Sequence, residues 1–172
     1  MKTGTIILVS GKDGQARTIQ KFQKKADKLS GKYNHSGIIV FTPHGAYVAE
    51  QSYIKGRKLK AASVLTPVDK YLKGDYELLF LEPRGPVDEA KMEQIILSHL
   101  GIPYDYWSLI HDQVIRTLNK IWVGRKKNAW KKMVCHEFVQ YMWNQYSGIF
   151  PDYYKGDVSK LFHSPDFKHE PR

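Results

Sequence analysis

Two apolar runs joined by four turn-forming residues limit what this chain can fold into more than any other stretch. Tyr33-Asn34-His35-Ser36-Gly37-Ile38-Ile39-Val40-Phe41 and Ala46-Tyr47-Val48-Ala49-Glu50-Gln51-Ser52-Tyr53 flank Thr42-Pro43-His44-Gly45. β-Branched and aromatic residues dominate the runs, so the composition predicts an antiparallel hairpin. If Phe41 pairs with Ala46, then Glu50 lies opposite Gly37 and His35 opposite Ser52. Side chains alternate between faces, which puts His35 and Glu50 on the same one, diagonally related. Any even-length loop keeps that parity and any odd one destroys it. A carboxylate beside an imidazole fixes its tautomer and raises its pKa. A strand glutamate, by contrast, ordinarily faces solvent.

The rest of the chain surrounds this hairpin with short strands and amphipathic helices. Thr3 to Ser10 reads as a buried strand closed by Gly11. Ile19, Phe22, Ala26 and Leu29 form one stripe of a helix over 16–29. Ala61 to Val68 is expected to include a short strand, Val68 to Leu72 a short helix, and Tyr76 to Glu82 another strand. Asp88 is the expected N-cap of a helix lined by Met92, Ile95, Ile96 and Leu100 and stopped by Gly101. Leu109 to Trp122 looks helical, and 124–132 is a basic connection. The tail, 157–165, reads as mostly irregular. With 172 residues and 42% apolar content, the expectation is one α+β domain over 1–172, a mostly antiparallel sheet or small barrel flanked by helices.

Met133-Val134-Cys135-His136-Glu137-Phe138-Val139-Gln140-Tyr141-Met142-Trp143 contains the only cysteine. Val134, Phe138, Tyr141 and Met142 recur at helical spacing, so the stretch reads as a helix opening near Cys135. A cysteine there meets the helix's unpaired N–H groups and the positive end of its dipole, which favour the nucleophilic thiolate. The plainer alternative is a small apolar core residue. A nucleophilic cysteine needs a base, and the base needs an orienting group. Neighbouring side chains on a helix diverge, so His136 is expected to point away from Cys135. His44 is in the turn, His163 and His169 are in the tail, and His99 and His111 sit on ordinary helices. His35 begins a strand, is followed by Gly37, and has Glu50 on its face.

In order, Gly4-Thr5-Ile6-Ile7-Leu8, Tyr33-Asn34-His35-Ser36-Gly37-Ile38, Val48-Ala49-Glu50, Pro103-Tyr104-Asp105, Val134-Cys135-His136-Glu137-Phe138-Val139 and Gly156-Asp157-Val158 through Ser164-Pro165 span nearly the whole chain. The series resembles the YiiX-like group, circularly permuted papain-like proteins of the NlpC superfamily in which His precedes Cys. The resemblance implies a permuted papain-like fold with the cysteine at a helix N-terminus, and amide or acyl-transfer chemistry. Carried over by position, Cys135 is the nucleophile, His35 the base and Glu50 the orienter. The Cys135 N–H would help hold the oxyanion. Tyr33, Tyr104 and His136 would shape the substrate pocket. Two positions depart from the pattern: Thr5 stands where an acid is usual, and His136 where a small residue commonly follows the cysteine.

A single cysteine excludes a disulfide framework or a Cys-rich zinc site, and no paired-histidine spacing appears among seven histidines. No metal or cofactor is therefore expected. The longest apolar run near the N-terminus, Ile6 to Val9, is too short for a membrane span or signal core, so the expected location is the cytoplasm. Net charge is +10, of which Arg116, Lys120, Arg125, Lys126, Lys127, Lys131 and Lys132 supply +7 without an acid between them. Trp107, Ile110, Val114, Ile115, Leu118, Ile121 and Trp122 supply apolar area to this insertion, about 107–132. It reads either as a core-packed helix with a solvated basic loop or as an element that meets an anionic membrane surface. No nucleic-acid module accompanies the charge, so nucleic acid is not the expected partner. The leading functional expectation is a cysteine hydrolase or amidase working through an acyl-enzyme on a peptide, small-molecule or acyl substrate. The alternatives are a lipid acyltransferase or thiol lipase of the same fold, and a non-catalytic membrane- or anion-binding protein.

Overall fold

The structure is a computed structural model that describes residues 1–12, 17, 20, 21, 24, 27–53, 61–105, 131–153 and 158–171. Six strands form one antiparallel sheet: β1 (Ile6–Ser10), β2 (His35–Thr42), β3 (Gly45–Tyr53), β4 (Ala61–Pro67), β5 (Glu77–Pro83) and β6 (Phe167–Pro171). Their order is β4-β3-β2-β1-β5-β6, which leaves β4 and β6 at opposite ends. The expectation of an α+β chain with an antiparallel sheet holds. An open sheet stands in place of the small-barrel option.

Each strand in the middle of the sheet is apolar on both sides, and alternation divides its residues between two cores. Ile6, Leu8, Ile38, Val40, Ala49, Leu79 and Leu81 belong to one buried cluster, and Ile7, Val9, Ile39, Val48, Leu78 and Phe80 to the other. Among the described residues, the α-helices with defined bounds are α1 (Asp69–Leu72), α2 (Glu89–Ser98), α3 (Cys135–Ser147) and α4 (Val158–Phe162). Asp88 caps α2 as expected, its carboxylate accepting from the Lys91 N–H at 3.0 Å. Met92 and Ile96 of α2 pack with Phe138, Val139, Met142 and Trp143 of α3 against the first cluster. These spacings place one stripe of each helix on the sheet. α3 ends at Gly148, whose φ of +77° is the left-handed conformation that suits a helix C-terminus.

The hairpin register is the predicted one: Phe41 pairs with Ala46 and Gly37 with Glu50. Gly37 has a steric reason. A Cβ there would lie 2.4 Å from Val48 Cγ1 and 3.0 Å from the Ala49 carbonyl oxygen. The space kept open is filled by β3 itself.

The tail corrects the sequence reading. Val158–Phe162 is helical there (α4), and β6, beyond that stretch, pairs with β5 from Leu79↔Pro171 to Pro83↔Phe167. Its anchor is Phe167, buried edge-to-face on Trp143 with ring centroids 5.1 Å apart. Of the predicted 16–29 helix, Arg17, Gln20, Lys21 and Lys24 are helical, but Asp27 to Leu29 are not, and Leu29, expected in its apolar stripe, is exposed. The predicted 109–122 helix and most of the basic insertion lie outside the described residues. Among the described residues, no helix is long and apolar enough to cross a membrane.

Candidate active site

The segment entering α3 is fastened to the β4 end of the sheet by backbone bonds. Tyr104 donates to the Ala61 carbonyl at 3.0 Å, Met133 to Pro103 at 3.1 Å, and Asp105 to Met133 at 3.1 Å. Behind this clip, Ser63 Oγ donates to the His99 carbonyl at 2.7 Å and accepts from the Ile102 N–H at 2.8 Å. Met133 and Val134 are buried. The Val134 N–H, one of the donors that the helix cannot satisfy internally, is taken by Glu137 Oε2 at 3.1 Å. Cys135 is thus the first residue of a helix whose start is fixed by its neighbours. Residues 135–140 are all buried.

His35 opens β2 and, with His136, is one of two side chains that bond the Cys135 thiol. Its Nε2 bonds Glu50 Oε2 on β3. An ionised carboxylate only accepts, so Nε2 carries the proton, and Nδ1 is the nitrogen left for sulfur. Glu50 is fully buried. Its Oε2 also accepts from the Tyr71 hydroxyl, and its Oε1 accepts from Thr66 Oγ1 at 2.5 Å. Lys70 Nζ stands 3.9 Å from Oε1. Three donors and a nearby cation offset the cost of taking a carboxylate out of water.

The electrostatics follow from this arrangement. Burial pushes Glu50 up, but the His35 charge and the hydrogen bonds from His35, Thr66 and Tyr71 outweigh it and hold the carboxyl at about 2. Burial pushes His35 down, but the Glu50 charge and the bonds to Cys135 and Glu50 raise it to about 10. Burial also pushes Cys135 up, yet hydrogen bonds from His136 and His35, and then their charges, bring the thiol well below its ordinary value. These directions favour the carboxylate form of Glu50, the imidazolium form of His35 and the thiolate form of Cys135.

His136 is the clearest correction at the site. Divergence of adjacent helical side chains predicted that its ring points away; instead it bonds the Cys135 sulfur and is itself buried. Tertiary packing around the helix start, not helical geometry alone, sets where this ring lies. Tyr33 is a core residue, tilted against Phe162 at 6.1 Å with Lys32 Nζ 5.0 Å above its ring. Tyr104 serves the site through its backbone, as part of the clip on Met133. A cleft of about 820 Å³ beside that clip is lined by residues including His99, Ile102, Pro103, Lys131 and Tyr141. Cys135, His35 and Glu50 are not in its lining. Of the basic series, Lys131 and Lys132 are exposed, and Arg116, Lys120, Arg125, Lys126 and Lys127 lie outside the described residues.

Thr66 and Tyr71 were missed in the sequence. Thr66 had a signal: in the β3–β4 register it pairs with Val48, one alternation from Glu50 and on the same face. Finding it required the β4 register, which no turn signal in 54–60 supplies. Tyr71 follows β4 on a helix of four residues, and no periodicity points it at Glu50.

No family model matches the sequence, and neither does any curated protein. Among solved structures, the chain is similar to the crystal structure of the metalloprotein YiiX from Escherichia coli O157:H7. The likeness covers 98% of this chain and 96% of that one, with 19% identity and a TM-score of 0.54. The chain has a YiiX-like fold; identity at that level speaks to fold alone.

Proposed function

We propose that this protein is a cysteine hydrolase of the amidase type, a permuted papain-like enzyme working through an acyl-enzyme on Cys135. One observation carries the reading: the thiol that opens α3 is bonded by His35, whose far nitrogen is held by the fully buried Glu50. Nucleophile, base and orienter are joined in series, as this chemistry requires.

The thiolate sulfur attacks the substrate's carbonyl carbon, and the carbonyl π pair moves onto oxygen. The Cys135 N–H at the helix start is the group suited to receive that oxyanion. Collapse of the tetrahedral species breaks the bond to the leaving nitrogen or oxygen, which takes the Nδ1 proton of His35. This leaves a thioester on Cys135 and a neutral imidazole. Water then gives a proton to His35 as it attacks the thioester, and the acid leaves with the thiolate restored. Throughout, Glu50 keeps the ring in the orientation that turns Nδ1 to sulfur.

The similar YiiX structure is named a metalloprotein. Among the described residues here, no group of three or more His, Cys, Asp or Glu side chains is arranged to hold a metal ion. Both Glu50 oxygens are already held by protein donors. These residues do not fit a metal, and every step above uses the chain's own groups.

The test is intact-mass detection of an acyl adduct after brief incubation with peptides, acyl-amino acids and phospholipids. A mass increase equal to the acyl group, lost in Cys135→Ala, is the expected result. Turnover of any of these by Cys135→Ala at the wild-type rate refutes the reading.

A further inference from the structure

We propose that Tyr71 is a positioning residue of this site: its phenol donates to the same carboxylate oxygen that holds His35, divides that oxygen's charge between two donors, and so sets how firmly the imidazole keeps its proton. The proposal rests on reading Cys135 as a thiolate nucleophile.

The geometry is specific. Tyr71 is 4% exposed, and its hydroxyl and His35 Nε2 converge on Glu50 Oε2. Its ring stacks on the His35 ring, with centroids 6.4 Å apart and planes 20° from parallel. One residue thus bonds the carboxylate and lies alongside the imidazole that the carboxylate orients. Thr66 bonds the other oxygen, so it cannot substitute for Tyr71 at Oε2. Burial and the Glu50 charge push the phenol far above its ordinary value, which keeps it a donor throughout the working range.

A shared acceptor makes the two donors compete. With His35 as its sole donor, Oε2 would concentrate more charge on the imidazolium and hold the proton more tightly. In the proposed reaction His35 must release that proton to the leaving group, and a tighter imidazolium is a poorer acid. The phenol therefore moderates the pair. The other groups facing His35 and Glu50 are Cys135 and His136 from α3 and Lys70 from α1, with Tyr76 tilted on the Tyr71 ring at 5.5 Å.

The test uses donors of graded strength at position 71: none in Tyr71→Phe, the native phenol, and a stronger one in 3-fluorotyrosine placed at 71 alone. The readout is the rate of Cys135 alkylation by iodoacetate against pH. That rate falls as His35 loses the proton that attracts the anionic reagent. Tyr71→Phe should move the alkaline limb upward by about one pH unit, the size expected for loss of a hydrogen bond to a charged group. The fluorotyrosine protein should move it downward. Limbs that coincide, or that fall in any other order, overturn the proposal. A merely structural role would lower the melting temperature and leave the limb in place. Should Tyr71→Phe fail to fold, the fluorotyrosine protein differs by one atom and decides alone. Alkylation needs no substrate, so this result stands apart from the acyl-adduct test.

Discussion

On one face of the sheet Ile6, Leu8, Ile38, Val40 and Ala49 meet Phe138, Val139, Met142 and Trp143 of α3; on the other, Ile7, Val9, Ile39 and Val48 meet Val68 and Tyr71. Among the described residues the first face is covered by helices of 10 and 13 residues and is mostly apolar, with Ser36, Glu137 and Gln140 the polar groups buried beside it. Among the described residues the second has a helix of four residues, and into it β3 projects the fully buried Glu50. Each large side chain buried on the first face contributes about 1.5–3 kcal/mol. A buried carboxylate adds little net stability, because its partners mainly offset its desolvation. The stability that the α3 face supplies allows the α1 face to carry charge, and the α3 N-terminus brings Cys135 to the edge where the two meet.

The largest expected effect separates these roles. Phe138→Ala removes a fully buried ring beneath α3 and should cost about 3–5 kcal/mol of unfolding free energy. The folded fraction should keep the wild-type pH profile of Cys135 alkylation. If the profile changes as much as the stability does, the two faces are not separable.

A smaller effect is expected from the other side. His35→Ala removes the imidazolium beside the thiolate, and Cys135 alkylation at pH 6 should slow by about tenfold or more as the thiol returns toward its ordinary range. His136, which also bonds the sulfur, keeps the loss from being complete. Urea denaturation should change far less than in Phe138→Ala. An unaltered alkylation rate would remove His35 from the site.

The smallest effect concerns pH and stability. His35 is raised from 6.5 to about 10, so its contribution is full below about pH 6.5 and fades as pH climbs toward 10. Glu50 is lowered from 4.5 to about 2, so its contribution is full above about pH 4.5 and fades as pH falls toward 2. Thermal melts should therefore place the pair's full stabilisation between about pH 4.5 and 6.5. Glu50→Gln should flatten both limbs; parallel curves for the two proteins would assign the limbs to other groups.

Much of this was legible beforehand because it depends on local periodicity. Alternation in β2 and β3, with a turn of even length, put His35 and Glu50 on one face, and the register from Gly37↔Glu50 to Phe41↔Ala46 has that parity. Asp88 and the stripe through Phe138 and Met142 likewise marked a helix start and a helix face from single residues and their spacing. What remained hidden was settled by contacts between residues far apart in the chain. β6 exists because Phe167 finds Trp143 and its backbone finds β5, partners that a short polar-rich segment does not advertise. His136 bonds the sulfur at the start of α3, a contact set by tertiary packing, and Tyr71 reaches Glu50 because β4 lies beside β3 and delivers α1 to that face. A sequence repeats its periods over a few residues, so it determines which way a strand or helix faces. Which donors complete a buried carboxylate depends on where whole elements come to rest, and only the tertiary structure decided that.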